Sequence, residues 1–562
     1  MDIAGMIFGI TGGLGLFLLG MKNMSEGMQA VAGERLRRMI GAVTNNRMLA
    51  CGVGMGVTTL IQSSSITTVM VVGMVNAGIM TLIQAIGVIA GANIGTTITG
   101  WVVTLSVDKY GLPLLGAAAL FFVFTKRDKI RFTALFLMGL GMVFYGLQLM
   151  KEGFSPIKDI PAFVEWFHRF EPVNYIGVLK CCLVGVVLTA IVQSSSATLA
   201  ITMTLAYSGA ISYHTAAALV LGENIGTTIT AFLASLGTST NARRAAYAHI
   251  MFNVFGVLWI TAIFSYYTKG VLWFLDLFPS TELPDVEVYT EMGVTYPHVM
   301  TAIAVTHTGF NVVNTLLFLP LIGYVARFLN WAVRERTTPE EPRLTYLDVR
   351  LFDTPNIALE QSDKEVNKMG AAVIRMLNQL KDIFATGNLE SEKVEPIFQA
   401  ENDLDIVQKE IVEFIGRIMA GNITHDTMKI AREQLRMADE FESISDYVTN
   451  IVKLRLKMKD TDQVLSSEAL EDVLQLHDVV QAYVQNIYQA VETENRRILP
   501  EAKSKGSEVT KFMKDCRSRH LARVGDGKAT PLKSLIYTDM LSGYRRIKDH
   551  AFNIAEVLSG EK

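Results

Sequence analysis

The chain has 562 residues, half of them hydrophobic and only 19% charged, with a formal net charge of −3 and a positive mean hydropathy. Such a composition excludes a single soluble domain, and the near-neutral charge with no nucleic-acid module excludes a polyanion-binding protein. The four cysteines, Cys51, Cys181, Cys182 and Cys516, form neither a CxxC pair nor a metal quartet and read as reduced, structural thiols.

In chain order, the N-terminal stretch MDIAGMIFGITGGLGLFLLGMKNM lacks the basic start and cleavage site of a secretion signal and reads as a first membrane helix. Met48 to Val107 contains no Asp, Glu, Lys or Arg, and Cys181 to Ala242 contains only Glu223. Both runs exceed the roughly 20 apolar residues that cross a bilayer, so the chain is expected to be polytopic. Beyond about Arg334 charges recur every few residues, and Val366, Met369, Val373, Met376, Leu380 and Ile383 alternate three and four apart, the spacing of a soluble helix. The expected organisation is a first membrane repeat over 1–130, a second repeat with terminal helices over 131–336, a linker over 337–356 and a soluble helical domain over 357–562.

IQSSSITTVM begins at Ile61, and VQSSSATLAI begins at Val192. At one offset Gly54, Thr58, Gln62, Gly91, Asn93, Gly95 and Thr97 fall on Gly185, Thr189, Gln193, Gly222, Asn224, Gly226 and Thr228, and Cys51 falls on Cys182. Upstream, GMKNMSEGM from Gly20 resembles GLQLMKEGF from Gly146. The membrane half is an internal duplication.

Basic residues orient it. Arg35, Arg37, Arg38 and Arg47, then Lys126, Arg127, Lys129 and Arg131, then Arg243 and Arg244, then Arg327, Arg334 and Arg336 are expected in the cytoplasm. The acidic segment from Asp276 to His298, with Glu282, Asp285, Glu287 and Glu291, is expected outside, as is the mixed stretch from Lys151 to Tyr175, which makes the two copies inverted. The crossing count then requires one of the two apolar stretches of copy one, Met48–Val75 and Thr81–Ser106, to enter and leave on one side. The first suits two half-length helices at about 1.5 Å per residue with the QSSS motif at their tip. Gln62 to Ser65 is thus expected to turn a re-entrant hairpin, and Gln193 to Ser196 its inverted twin.

Hairpin tips at membrane depth leave backbone groups unpaired, which is tolerated only against protein or a hydrated site. The serines are expected to N-cap the returning half-helices, whose N-termini suit an anion. Broken helices in inverted repeats belong to secondary transporters. Small hydroxyl residues also let membrane helices pack closely, but three serines beside a glutamine, twice, exceed what packing needs.

The paired QSSS motifs, GANIGTT from Gly91, GENIGTT from Gly222 and the later HIMFN and HTGFN make the first 330 or so residues resemble the type II sodium–phosphate cotransporter family. The resemblance implies sodium-coupled transport of inorganic phosphate in a bacterial inner membrane, with the lipid bilayer as surroundings and no cofactor beyond sodium as coupling ion. Gln62, Ser63, Ser64, Ser65, Gln193, Ser194, Ser195 and Ser196 are the expected phosphate-binding residues. Asn93, Thr96, Thr97, Glu223, Asn224, Thr227 and Thr228 are the expected sodium-binding or coupling residues. Glu223, alone in its apolar stretch, must be paired, protonated or cation-bound, whereas the first copy has Ala92 there. His249 and His307 each precede a Phe-Asn pair; a lone helical histidine is more often packed and hydrogen-bonded than a ligand, so they are not assigned to substrate. Both tip segments lack Arg and Lys, so hydroxyls, amides, helix N-termini and co-bound cations must compensate the anion.

In the tail, FESISDYVTNI from Phe441 resembles YRRIKDHAFNI from Tyr544. These look like the halves of a PhoU domain, a pair of three-helix bundles, which by resemblance is cytoplasmic and regulatory. In that family a Glu and an Asp four apart can bind metal; Glu442 and Asp446 keep the pattern, but Arg545 replaces the Glu of the second copy. No nucleotide loop, nucleophile with base, or metal triad appears, so no enzyme is expected. The alternative reading is a phosphate-binding receptor that signals through the tail without net transport. A homo-oligomer is compatible with the sequence and not specified by it.

Overall fold

A computed structural model describes the chain apart from residues 1–2, 42–45, 77, 79, 106–107, 161–170, 237, 279–282, 291–292, 335–346, 348–351, 353, 422, 527–529 and 562. Of the residues used to orient the chain, Glu282, Glu291 and Arg336 lie outside the described ones, as does most of the expected linker over 337–356. The chain divides into two compact units, Met1–Thr338 and Pro339–Lys562.

The membrane unit is almost wholly helical. Its described helices are α1 (Ile3–Gly41), α2 (Arg47–Ile61), α3 (Ser64–Asn76), α4 (Leu82–Thr104), α5 (Asp108–Phe124), α6 (Asp128–Phe154), α7 (Tyr175–Val192), α8 (Ser195–Tyr207), α9 (Tyr213–Gly226), α10 (Thr228–Ser235), α11 (Thr240–Ala262), α12 (Phe264–Asp276), α13 (His298–Phe318) and α14 (Ile322–Ala332). Seven helical segments of the described chain are long and apolar enough to cross a membrane, while α2 and α3 fall short of that length. A small hairpin, Val288–Thr290 paired antiparallel with Gly293–Thr295, interrupts the helical pattern in the acidic segment. There alternating β-branched and aromatic residues favour a pleated ribbon.

The duplication is visible in how backbones approach. A Cβ on Gly91 would overlap the carbonyl of Cys51, and one on Gly54 that of Val88. In the second copy a Cβ on Gly222 would overlap the carbonyl of Cys182, and one on Gly185 that of Leu219. The same glycine contacts thus seat α4 on α2 and α9 on α7, at distances that only a missing side chain permits.

A second set of glycines joins the copies to each other. On α1 they recur as Gly13, Gly20 and Gly27; on α6 they recur as Gly139, Gly146 and Gly153. A Cβ on Gly13 would stand 2.7 Å from Gly146 O, and one on Gly20 2.7 Å from Gly139 O. Gly27 faces Phe136 and Gly153 faces Ile10 in the same manner. As contacts move forward along α1 they move backward along α6, so the helices are antiparallel. Gly13 corresponds to Gly139 and Gly20 to Gly146 in the repeat, so each contact is matched by its exchanged counterpart, the pattern of a two-fold interface. The seven-residue glycine spacing is that of a left-handed crossing.

The copies also interleave. Besides its own α4, α3 packs on α10 of the second copy, and besides its own α9, α8 packs on α4 of the first. Helices α11 and α13 complete the core, α11 lying on α3 and α4, and α13 on α8, α9 and α4.

The soluble unit has six described helices, α15 (Pro355–Thr386), α16 (Ser391–Met419), α17 (His425–Asp460), α18 (Ser467–Glu492), α19 (Leu499–Gly525) and α20 (Pro531–Ser559). The third helices of the two halves, α17 and α20, pair extensively. Tyr447 stacks on His550 with ring centroids 5.5 Å apart, and these are equivalent positions of the tail repeat. Glu440 accepts from His550 Nδ1 at 2.7 Å and from Asn553 at 3.1 Å. Elsewhere the half-exposed Arg519 and the largely buried Arg523 converge on the buried carboxylate of Asp472, each at 2.7 Å.

The glycine seating makes a direct expectation. Gly91→Ala and Gly222→Ala should each destabilise the membrane unit by roughly 1–3 kcal/mol, since an added methyl meets unyielding backbone. Gly52→Ala, where nothing lies within 4 Å of the new carbon, should be neutral. Thermal denaturation of the detergent-solubilised protein, followed by size exclusion, checks this, and equal melting of all three variants would contradict it.

Candidate functional site

The two QSSS segments adopt the same local structure. Helix α2 ends at Ile61 because Gln62 takes a left-handed conformation, φ 57°, with its N–H donating to Thr58 O at 2.7 Å. Helix α7 ends the same way at Gln193, φ 55°, whose N–H donates to Thr189 O at 2.8 Å. A non-glycine residue in this region is uncommon and signals a tertiary requirement. The next residue restarts the chain as a helix: Ser63 Oγ accepts from Ile66 N and Ser194 Oγ from Ala197 N, each at 3.2 Å. The expected capping therefore falls to the first serine of each motif.

That division of labour leaves the other two serines free. By helix geometry the N–H groups of Ser64, Ser65, Ser195 and Ser196 have no intrahelical acceptor. Their hydroxyls make no side-chain hydrogen bond among the described residues. Each break thus gathers N–H and O–H donors at a helix N-terminus, where the helix dipole favours negative charge. Across the first break Thr58 and Thr67 hydroxyls bond at 3.0 Å, holding α2 against α3.

The first tip is clamped and the second is not. Gln62 is half-buried, its Nε2 donating to Thr59 O at 2.6 Å and its Oε1 accepting from Thr99 at 3.2 Å. Ser25 of α1 donates to Ile61 O at 2.6 Å, braced by Gln29. Gln193 is exposed. The residue equivalent to Ser25 is Lys151, a buried base whose Nζ lies 4.6 Å from the centroid of the Tyr207 ring. Lys151 was missed from sequence because it stands among the charges of a loop-like stretch; its alignment with Ser25 was the available signal.

Within their own helices the GxNIGTT residues bond alike in both copies. Asn93 Nδ2 donates to Ile89 O at 2.9 Å and Asn224 Nδ2 to Val220 O at 2.8 Å. Thr96 and Thr227 donate to the carbonyls four residues back, and Thr97 and Thr228 to those three back. Helix α4 is continuous through this turn, whereas its counterpart is interrupted at Thr227. Glu223 is buried and accepts from Thr202 Oγ1 at 2.8 Å. Copy one has Ala92 and Val71 at these two positions, so donor and acceptor are absent together. Asn224 Oδ1 receives His307 Nε2 at 3.3 Å and Asn311 Nδ2 at 3.2 Å, which ties the HTGFN segment to GENIGTT. His249 and Asn253 are buried on α11 with no such link to Asn93.

The structure brings the motif helices together without a hydrogen bond between the two tips among the described residues. A cavity of about 380 Å³ lies elsewhere, lined by Glu171, Ser212, Tyr213, Asp285, Glu287 and Tyr296 among others. In the soluble unit, Glu442 and Asp446 share an acidic face with Glu401 and Asp405. Partial burial, then Asp446 and Asp405, pushes the Glu442 carboxyl above its usual range. Among the described residues no group of three or more His, Cys, Asp or Glu side chains is arranged to hold a metal ion.

The family model described as Na+/Pi-cotransporter matches residues 16–152 and 174–275, and the PhoU domain model matches residues 366–454. The chain is 26% identical over 467 residues to YjbB of Salmonella typhimurium (strain LT2), covering 82% of this chain and 80% of that protein, which is provisionally described as an inorganic phosphate export protein. The YjbB of Escherichia coli (strain K12) is 26% identical over 438 residues, 77% of this chain and 75% of its own length. Sodium-dependent phosphate transport protein 2B of Homo sapiens is 36% identical over 103 residues, 18% of this chain and 15% of that protein. The membrane unit of the chain thus matches the Na+/Pi-cotransporter family model over most of its length, and the soluble unit matches the PhoU domain model.

Proposed function

We propose that the chain is a sodium-coupled secondary transporter of inorganic phosphate, working by alternating access around a midplane site built from the two QSSS tips. The carrying observation is the pair of helix breaks at Gln62 and Gln193, each presenting two uncapped serines and the N–H groups of a helix start. Phosphate is an acceptor-rich anion, and this is a donor-rich, positively polarised surface with no basic residue in either tip. The antiparallel, self-complementary packing of α1 on α6 supports an inverted arrangement of the copies, which would let the tips enter from opposite sides. One clamped and one exposed tip is what a single state of such a cycle would look like. The sodium-dependent human relative and the export-named YjbB proteins support the substrate; they leave the direction of net flux to experiment.

On this reading the basic clusters put the PhoU domain in the bacterial cytoplasm, where it would modulate flux. The co-transported cation compensates the phosphate charge, and the Glu223 region of the second copy is its coupling element.

The direct test is labelled phosphate flux in proteoliposomes under imposed sodium and proton gradients. Sodium-driven accumulation is expected; binding without exchange under any gradient would favour the receptor. Ser64→Ala and Ser195→Ala should each weaken phosphate binding about tenfold to a hundredfold, because each leaves a desolvated phosphate oxygen unpaired. Their effects in the double variant should be non-additive, since both hydroxyls serve one ligand; strict additivity would argue for separate sites.

Glu223→Gln keeps an acceptor for Thr202 but removes a charge. Apparent sodium affinity should fall about tenfold, the order expected when a cation loses a buried charged partner, with little change in the pH profile of flux. A flattened pH profile with unaltered sodium dependence would instead assign Glu223 as the proton carrier.

A further inference from the structure

Among the described residues, α11 and α13 carry buried acceptors with nothing to accept from. Asn311 Nδ2 donates to His307 O at 2.9 Å and to Asn224 Oδ1 at 3.2 Å, which uses the amide's donors. Its Oδ1 is buried with no partner. Asn224 Nδ2 is engaged by Val220 O, so its oxygen is the atom facing His307, and an amide oxygen only accepts. His307 therefore carries its proton on Nε2, 3.3 Å from that oxygen. Its Nδ1 is then a bare acceptor, and it too is buried without a partner.

The same arrangement recurs on α11. Asn253 Nδ2 donates to His249 O at 3.0 Å, and Asn253 Oδ1 is buried and partnerless, as are both ring nitrogens of His249. His249, Asn253 and Asn311 are 0% exposed and His307 3%. Each of the two helices packs on both copies: α11 lies on α3 and α4 of the first and on α9 and α10 of the second, and α13 lies on α4 of the first and on α8 and α9 of the second. Buried polar atoms almost always have partners, so matched orphans on two related helices call for a ligand.

The sign of the orphans decides its chemistry. Acceptors are in excess, with a single N–H of neutral His249 as the one unengaged donor. A phosphate oxygen would meet lone pairs here and be repelled, so these turns are not part of the anion site. A small cation is attracted, and amide oxygens are the hard ligands that a sodium ion takes in place of water. Intramembrane polar groups of this kind mark ion pathways.

We propose that each His-x-x-x-Asn turn holds a monovalent cation, with Asn253 Oδ1 and Asn311 Oδ1 as direct ligands and the imidazoles of His249 and His307 accepting from water on the ion. Asn224 is then a positioning residue: its oxygen is consumed in aligning His307 and Asn311, and it does not touch the cation. This rests on the sodium-coupled reading and refines it, moving direct ligation from the GxNIGTT asparagines to the two helices that follow.

The test uses the full-length protein, with radioactive sodium binding in detergent and sodium activation of phosphate flux in proteoliposomes. Asn253→Ala and Asn311→Ala should each raise the half-activating sodium concentration about tenfold or more, as loss of a buried partner does, and reduce the sodium bound at a fixed concentration. Asn253→Asp and Asn311→Asp, which keep an oxygen and add charge, should bind sodium more tightly than the wild type. If the alanine variants fail to insert, the aspartate pair decides: weaker or unchanged sodium binding in both means that the orphans hold water alone, and overturns the proposal. Unchanged sodium activation in the alanine variants overturns it as well. Wild-type flux that ignores sodium altogether would instead remove the sodium-coupled reading beneath it.

Discussion

An unpaired backbone N–H or C=O inside a packed helical unit costs several kcal/mol, and the helix breaks of the membrane unit are built to limit that cost. Two helices are broken in mid-course, at Gln62 and Gln193. Each break is made tolerable locally: a left-handed glutamine returns its N–H to the helix just ended, and a serine caps the helix that begins. What those devices do not consume are the donors of the second and third serines. The same constraint that makes the breaks expensive therefore leaves them chemically competent.

The helices that carry the breaks are closely packed, and glycine supplies the approach. Gly91 and Gly222 seat the GxNIGTT helices α4 and α9 on the carbonyls of Cys51 and Cys182. The glycines of α1 and α6 then join these two helices antiparallel. Packing by backbone approach is insensitive to side-chain identity, which lets the copies diverge where chemistry is wanted. Ser25 has become Lys151, Ala92 has become Glu223 and Val71 has become Thr202 within one shared scaffold. The second copy carries the buried Glu223, the buried Lys151 and the interrupted helix at Thr227, so the duplicated frame differs in polar groups between its halves.

The tail shows the same economy in water. Equivalent residues Tyr447 and His550 meet across the α17–α20 pair, while Glu440 has no counterpart at Gly543. Gly543 sits where a Cβ would stand 2.9 Å from Ile451, so one side of the interface is polar and the other closely packed. Here too a repeated frame carries unequal chemistry.

Much of the site was legible because it is written in local chemistry. Uncharged runs declare burial in lipid, the paired QSSS and GxNIGTT motifs declare a duplication, and serine after a forced turn declares a cap. The helix break at Gln62 follows from half-length apolar helices and needed no tertiary knowledge. The antiparallel ribbon at Val288–Thr295 was not foreseen, since its strands are too short to register a period. Lys151 was not foreseen either, because burial of a long charged side chain depends on which neighbour it finds, here Tyr207. By itself the sequence determined the helical membrane class, the duplication, the soluble helical tail and the residues that cap the breaks, all of which depend on neighbours within a turn or two. Only the tertiary structure decided which polar atoms remain unpaired: that Asn224 spends its oxygen on His307 and Asn311, and that Asn253 and Asn311 are left with theirs. Hydrogen-bond satisfaction is a sum over partners from distant segments, and no single segment carries that sum.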